Sequence, residues 1–149
     1  YFLELEGQIL LESGKPTEAL EPLREATALS GNQPLIASTF GHALLATEDK
    51  ANLAEAERVL KQAVARDNDN PFAWMNLEPV YDRKGDEPRT ALATAERAHL
   101  MGDVGTALMS SRAAMAGLPQ GSPDWVRAQD INMVSQTAWD EIRKKKKDR

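Results

Sequence analysis

Large apolar side chains recur at helical spacing along most of the chain. The clearest run follows Asn68-Asp69-Asn70-Pro71, where Trp74, Leu77 and Tyr81 stand at i, i+3 and i+7 and share one face of a helix. Gly85-Asp86 interrupts the run, and Ala91, Ala95 and Ala98 then follow at spacings of four and three. Small residues at those intervals let a second helix lie close against the first, so the stretch predicts a helical hairpin. Alanine and leucine are abundant, aromatic residues make up only 5% of the chain, and β-branched residues are scattered rather than clustered, which together predict an all-α fold.

The hairpin is repeated upstream. Gly7 and Gly41 lie 34 residues apart, as do Leu10 and Leu44. Ala19, Leu23 and Ala26 recur 37 residues later as Ala56, Leu60 and Ala63, and these recur 35 residues later as Ala91, Ala95 and Ala98. Three units therefore share one register. A lone hairpin cannot bury its apolar face, so each has to stack on its neighbour.

This register resembles the tetratricopeptide repeat (TPR) family, whose pattern is W-x2-L-G-x2-Y, then A-x3-F, then P. Trp74, Leu77 and Tyr81 fill the Trp, Leu and Tyr places of the third unit, and Ala91 and Ala98 fill its alanine places. The second unit supplies Phe40, Gly41, Leu44, Ala56, Leu60 and Ala63, and the first Gly7, Leu10, Ala19, Leu23 and Ala26. The resemblance covers residues 1–101, in units of about 1–33, 34–70 and 71–101, and implies an α-solenoid of stacked antiparallel helical hairpins. Residues 102–143 are expected to form a fourth, degenerate helical pair that caps it, and residues 144–149 a basic tail.

The departures from the pattern carry expectations of their own. Extra residues around Glu48-Asp49-Lys50-Ala51-Asn52 lengthen a turn without breaking the stack. Pro22 and Pro79 fall inside helices, where each removes a backbone donor and predicts a bend. Glu78 occupies the small glycine place of the third unit. Further on, Gly102-Asp103 ends one helix and begins another, Gly117 to Gly121 is a loop, and Ser122-Pro123-Asp124 has the capping hydroxyl, first-turn proline and acid of a helix start. The last helix carries Trp125, Ala128, Ile131, Val134, Ala138, Trp139 and Ile142 on about half its circumference, a broad face expected to close the core. Trp74, Tyr81, Trp125 and Trp139 are all assigned to the core on their spacing.

Charge and candidate chemistry narrow the function classes. The formal charge is −5, but residues 143–149 hold six basic groups and one acid, so residues 1–142 carry −10. An acidic body argues against a nucleic-acid binder, and the basic end is read as a frayed, solvated helix terminus. There is no cysteine, hence no disulfide framework, thiolate metal site or cysteine nucleophile. No apolar run approaches the ~20 residues of a membrane span. The two histidines, His42 and His99, are far apart and no HExxH, GxGxxG, P-loop or GxSxG is present, so no catalytic constellation, metal or cofactor is predicted. Asp67-Asn68-Asp69-Asn70 lacks the glycine and distal glutamate of a calcium loop and is expected to end one helix and cap the next.

What the resemblance leaves is a surface. The family's groove positions fall on Tyr1, Glu4, Gln8 and Leu11 in the first unit, on Leu35, Ser38, His42 and Leu45 in the second, and on Phe72, Met75, Pro79 and Asp82 in the third. Phe72, Met75 and Leu45 would be apolar anchors, while Glu4, Glu12 and Asp82 attract basic groups. Glu4 and Gln8 stand where carboxylate-clamp members of the family place a lysine and an asparagine, so no such clamp is predicted. The expected role is a non-catalytic protein-interaction module that binds a protein, a peptide or another domain of its parent chain, with end-to-end pairing of two copies left open by the apolar last helix. The segments Tyr1 to Gly7, Gly14-Lys15-Pro16, Asp69 to Trp74 and Gly121 to Trp125 also resemble the C-terminal TPR region of bacterial zinc metallopeptidases. Under that resemblance the chain, which opens at Tyr1 without a methionine, is the docking or regulatory part of a cell-envelope enzyme whose HExxH domain lies upstream, and the upstream reading frame tests it.

Overall fold

In the computed structural model, which describes residues 1–149, the chain is all-helical. The helices are α1 (Phe2–Glu12), α2 (Pro16–Leu29), α3 (Pro34–Ala46), α4 (Leu53–Arg66), α5 (Pro71–Arg83), α6 (Glu87–Leu100), α7 (Val104–Gly117) and α8 (Pro123–Lys147). The lengthened turn after α3 forms one short 3-10 turn, Lys50–Asn52, begun by the Asp49 carboxylate, which accepts from Ala51 N at 2.9 Å. Contacts gather into two compact units, residues 1–80 and 81–149, and the boundary falls within α5.

Short-range chemistry sets the ends of these helices. Gly85 and Gly102 both take positive φ, 73° and 77°, which suits a residue with no Cβ and reverses the chain after α5 and α6. The next residue caps the following helix in each case: Asp86 accepts from Arg89 N at 3.2 Å, and Asp103 accepts from Thr106 N at 3.1 Å. Ser122 accepts from Trp125 N at 3.3 Å ahead of Pro123. Asn70 accepts from Phe72 N at 3.0 Å, and the Trp74 indole donates to Asn68 O at 2.8 Å, so Asp67 to Asn70 ends α4 and opens α5. Both α2 and α5 run on through Pro22 and Pro79.

In the unit of residues 1–80, α1 packs on α2, α2 on α3 and α3 on α4. Its core is built from Ala19, Leu23 and Ala26 of α2, Ala37, Phe40, Ala43 and Leu44 of α3, Ala56, Leu60 and Ala63 of α4, and Ala73 and Leu77 of α5. Two contacts recur. A Cβ on Gly7 would lie 2.4 Å from Cγ of Leu23, and one on Gly41 would lie 2.5 Å from Cγ of Leu60. Each of the first two helix pairs thus closes with a glycine of one helix seated on a leucine of the next.

In the unit of residues 81–149, α6 packs on α7, and α8 packs on both. Leu92, Ala95, Ala98, Ala107, Ala114, Leu118, Ala128 and Ile131 form its core, with Trp125 partly buried against it. The broad apolar face assigned to α8 closes onto this core only over its first half, through Trp125, Ala128 and Ile131. Only Ala128, Ile131 and Ser135 of that helix are buried, whereas Val134, Trp139 and Ile142 are exposed, so Trp139 at 38% exposure is corrected from core to surface. Length explains the exposed end. At 1.5 Å per residue the 25-residue α8 is about 37 Å long against about 21 Å for the 14-residue α6 and α7, so the turns from Ile142 onward outrun the helices that cover it. Val134 lies within the covered length but borders a cavity with Ala98 and Val104, and the Trp139 ring keeps one edge on Gly105 of α7. Trp74 is likewise only half-buried, its indole satisfied by the Asn68 carbonyl.

Candidate functional site

The α1, α3 and α5 helices of the first unit border an open cleft of about 410 Å³ lined by Gln8, Leu11, Glu12, Thr39, His42, Ala46 and Phe72. Four of the residues expected to line a groove, Gln8, Leu11, His42 and Phe72, come together here, with Glu12 beside them. Glu4 is half-buried on α1, and Leu35 and Met75 are exposed on α3 and α5 without lining the cleft. Ser38 and Leu45 are corrected. They are 0% and 6% exposed and offer a ligand no surface, because Ser38 returns its hydroxyl to Pro34 O at 2.7 Å and Leu45 lies in the core of α3. Asp82 is exposed in the second unit.

A hydrogen-bond relay fixes the centre of the cleft. Asn76 is buried, and its Nδ2 donates to Phe72 O at 2.9 Å, so its Oδ1 faces His42 as an acceptor. The 2.7 Å contact between that oxygen and His42 Nδ1 therefore places the imidazole proton on Nδ1 and leaves Nε2 of the neutral ring as an acceptor. The ring also rests on Phe72, with centroids 5.6 Å apart. Asn76 was not among the residues expected at the site. Its signal was an amide on the buried stripe Ala73, Asn76, Leu77, Val80, where a polar group must find a partner.

The chemistry on offer is one-sided. Leu11, Ala46 and Phe72 give apolar walls, Glu12 a carboxylate, Gln8 an amide and His42 an acceptor nitrogen. Neither α1 nor α3 contains a lysine or arginine, and residues 1–80 hold 13 acids against six bases. The cleft suits a cationic group on an aliphatic stem: apolar walls take the methylenes, and the acid and the imidazole take the charged head.

Buried charge elsewhere is structural. Glu96, 1% exposed, accepts from Arg127 through both carboxylate oxygens, with Nη2–Oε2 at 2.8 Å. Arg24 holds Glu55 the same way, at 3.0 and 3.1 Å, and also meets Glu21. The Glu55 hydrogen bond is the first cause raising the Arg24 pKa; Arg89 is raised chiefly by Asp86, with Asp124 at 3.1 Å adding to it. A second, smaller cavity of about 200 Å³ is lined by Ala98, His99, Val104, Val134 and their neighbours at the junction of α6, α7 and α8. No three His, Asp or Glu side chains gather in an arrangement that could hold a metal ion. No helix is long and apolar enough to cross a membrane. No protein-family model matches the chain, and no curated protein matches it.

Proposed function

We propose that this chain is a non-catalytic TPR-type interaction module whose cleft docks a protein segment presenting basic and aliphatic side chains. In this reading α1/α2, α3/α4 and α5/α6 are three repeats of an α-solenoid and α7/α8 is its degenerate cap. The observation that carries it is the cleft itself, lined by the first helix of each of the three pairs, as a repeat groove would be.

Two recurrences support the repeat register. Gly7 on Leu23 and Gly41 on Leu60 make the same close approach one period apart, and the third copy of those places holds Glu78 and Ala95, large and small exchanged. Arg24 follows Leu23 and pairs 31 residues on with Glu55; Glu96 follows Ala95 and pairs 31 residues on with Arg127. The same register place makes the same bidentate bridge with its charges reversed, which supports reading α8 as part of the series although its apolar pattern fades.

Recognition works by complementarity on a preformed surface. Asn76 and Phe72 hold the His42 ring in place before a ligand arrives, so little ordering cost remains at the centre of the site. An array of synthetic peptides in which basic and aliphatic content vary independently tests the reading. Peptides carrying both should bind, and Leu11→Lys, which removes an apolar wall and adds a repelling charge, should weaken them about tenfold with its helical circular dichroism intact. A preference for acidic peptides, or equal binding by the variant, would refute it.

A further inference from the structure

The last two turns of α8 are an unsatisfied surface of the opposite character. Arg143, Lys144 to Lys147 and Arg149 are all exposed and form no ion pair, and Trp139 and Ile142 lie exposed just before them. The segment is therefore cationic at its end, and one turn earlier it carries Trp139 and Ile142 with the acids Asp140 and Glu141 between them, which leaves Trp139–Lys147 at a net charge of +3. Arg143 and Lys147 stand at i and i+4, where like charges weaken an isolated helix, so this basic end gains from an acidic partner. The cleft of residues 1–80 offers the matching chemistry: apolar Leu11 and Phe72 with Glu12 beside them, on a unit of net −7 whose two leading cleft helices carry no cation.

We infer that the cleft of one copy takes the Trp139–Lys147 segment of a second copy, giving a head-to-tail assembly in which lysine heads meet Glu12 and His42 Nε2 while Ile142 and the lysine stems lie on Leu11 and Phe72. This rests on the reading of the cleft as a docking site and names its occupant. The two surfaces differ, so the contact is heterologous: it is made once per pair and leaves one cleft and one helix end open. The charge term makes it salt-sensitive, because about 500 mM salt shortens the screening length several-fold relative to about 20 mM.

A complementation experiment on the full chain tests this. Glu12→Lys spoils the cleft and keeps the helix end; Lys144→Gln combined with K145Q, K146Q and K147Q spoils the helix end and keeps the cleft. By sedimentation velocity in about 50 mM salt, the wild type should self-associate, each variant alone should stay monomeric, and an equimolar mixture should form a heterodimer that dissociates in high salt. A monomeric wild type, association of either variant to the wild-type extent, or a mixture that stays monomeric overturns the inference. Peptide binding by the quadruple glutamine variant separates the two levels. If basic peptides still bind a chain that never self-associates, the docking site stands and only its occupant is wrong; if they do not bind, both fail. Anionic vesicles are the control for the helix end: wild type that is monomeric yet binds them, with the quadruple variant free, assigns the lysines to a lipid surface and overturns the inference.

Discussion

A methyl group added at Gly41 would sit 2.5 Å from Cγ and 2.6 Å from Cδ2 of Leu60, a side chain with no exposed surface and no room to retreat. Overpacking of this kind costs about 1–3 kcal/mol, and the gain in helix propensity on leaving glycine returns somewhat less than 1 kcal/mol. Gly41→Ala should therefore lower stability in urea by up to about 2 kcal/mol, whereas Gly41→Ala combined with Leu60→Ala, which removes the obstructing branch, should show strong coupling between the two changes. Additive effects would mean that the close approach is not what the glycine provides. The spacing of Gly7 and Gly41 was plain in the sequence, but its partner was not, since Leu23 and Leu60 read there only as members of an apolar stripe. His42 shows the same limit from the polar side. Its place on an inner helix face could be read from the register, yet its tautomer is decided by Asn76, a residue 34 positions away.

At the scale of elements, Asp103 gives a pH-dependent prediction. Hydrogen bonding from Thr106, through its hydroxyl and its backbone N–H, holds the Asp103 carboxyl below its ordinary value at the N-terminus of α7. A carboxylate with a depressed folded pKa contributes stability that is fully present above its unfolded value and disappears as pH falls through the folded one. The stability difference between wild type and Asp103→Asn should accordingly be constant near neutrality and shrink below about pH 4, as followed by urea melts at stepped pH; a difference independent of pH would deny the carboxylate that role. The helix starts were the most legible feature of the chain. Asp86, Asp103 and Ser122-Pro123 announce their helices through contacts within three residues, and such contacts form wherever the local sequence allows them. The 3-10 turn at Lys50–Asn52 was visible only as an insertion, because its length and not its composition marked it.

For the molecule as a whole, the exposed end of α8 separates stability from interaction. Residues 143–149 are entirely exposed, so deleting them should change the unfolding free energy by less than about 0.5 kcal/mol in about 150 mM salt, measured by urea denaturation. A larger loss would show that the segment packs against the fold. The sequence by itself determined that the chain is all-helical, where most helices begin and end, and which small residues recur, because periodicity and capping are interactions over three or four positions. Only the tertiary structure decided which apolar and polar faces are covered. Ser38 and Leu45 went inside although their register placed them on a groove, while Val134, Trp139 and Ile142 stayed outside although their spacing placed them in a core. Burial depends on whether another helix is long enough and close enough to cover a face. That is a property of neighbours distant in sequence, and the pattern on one helix does not contain it.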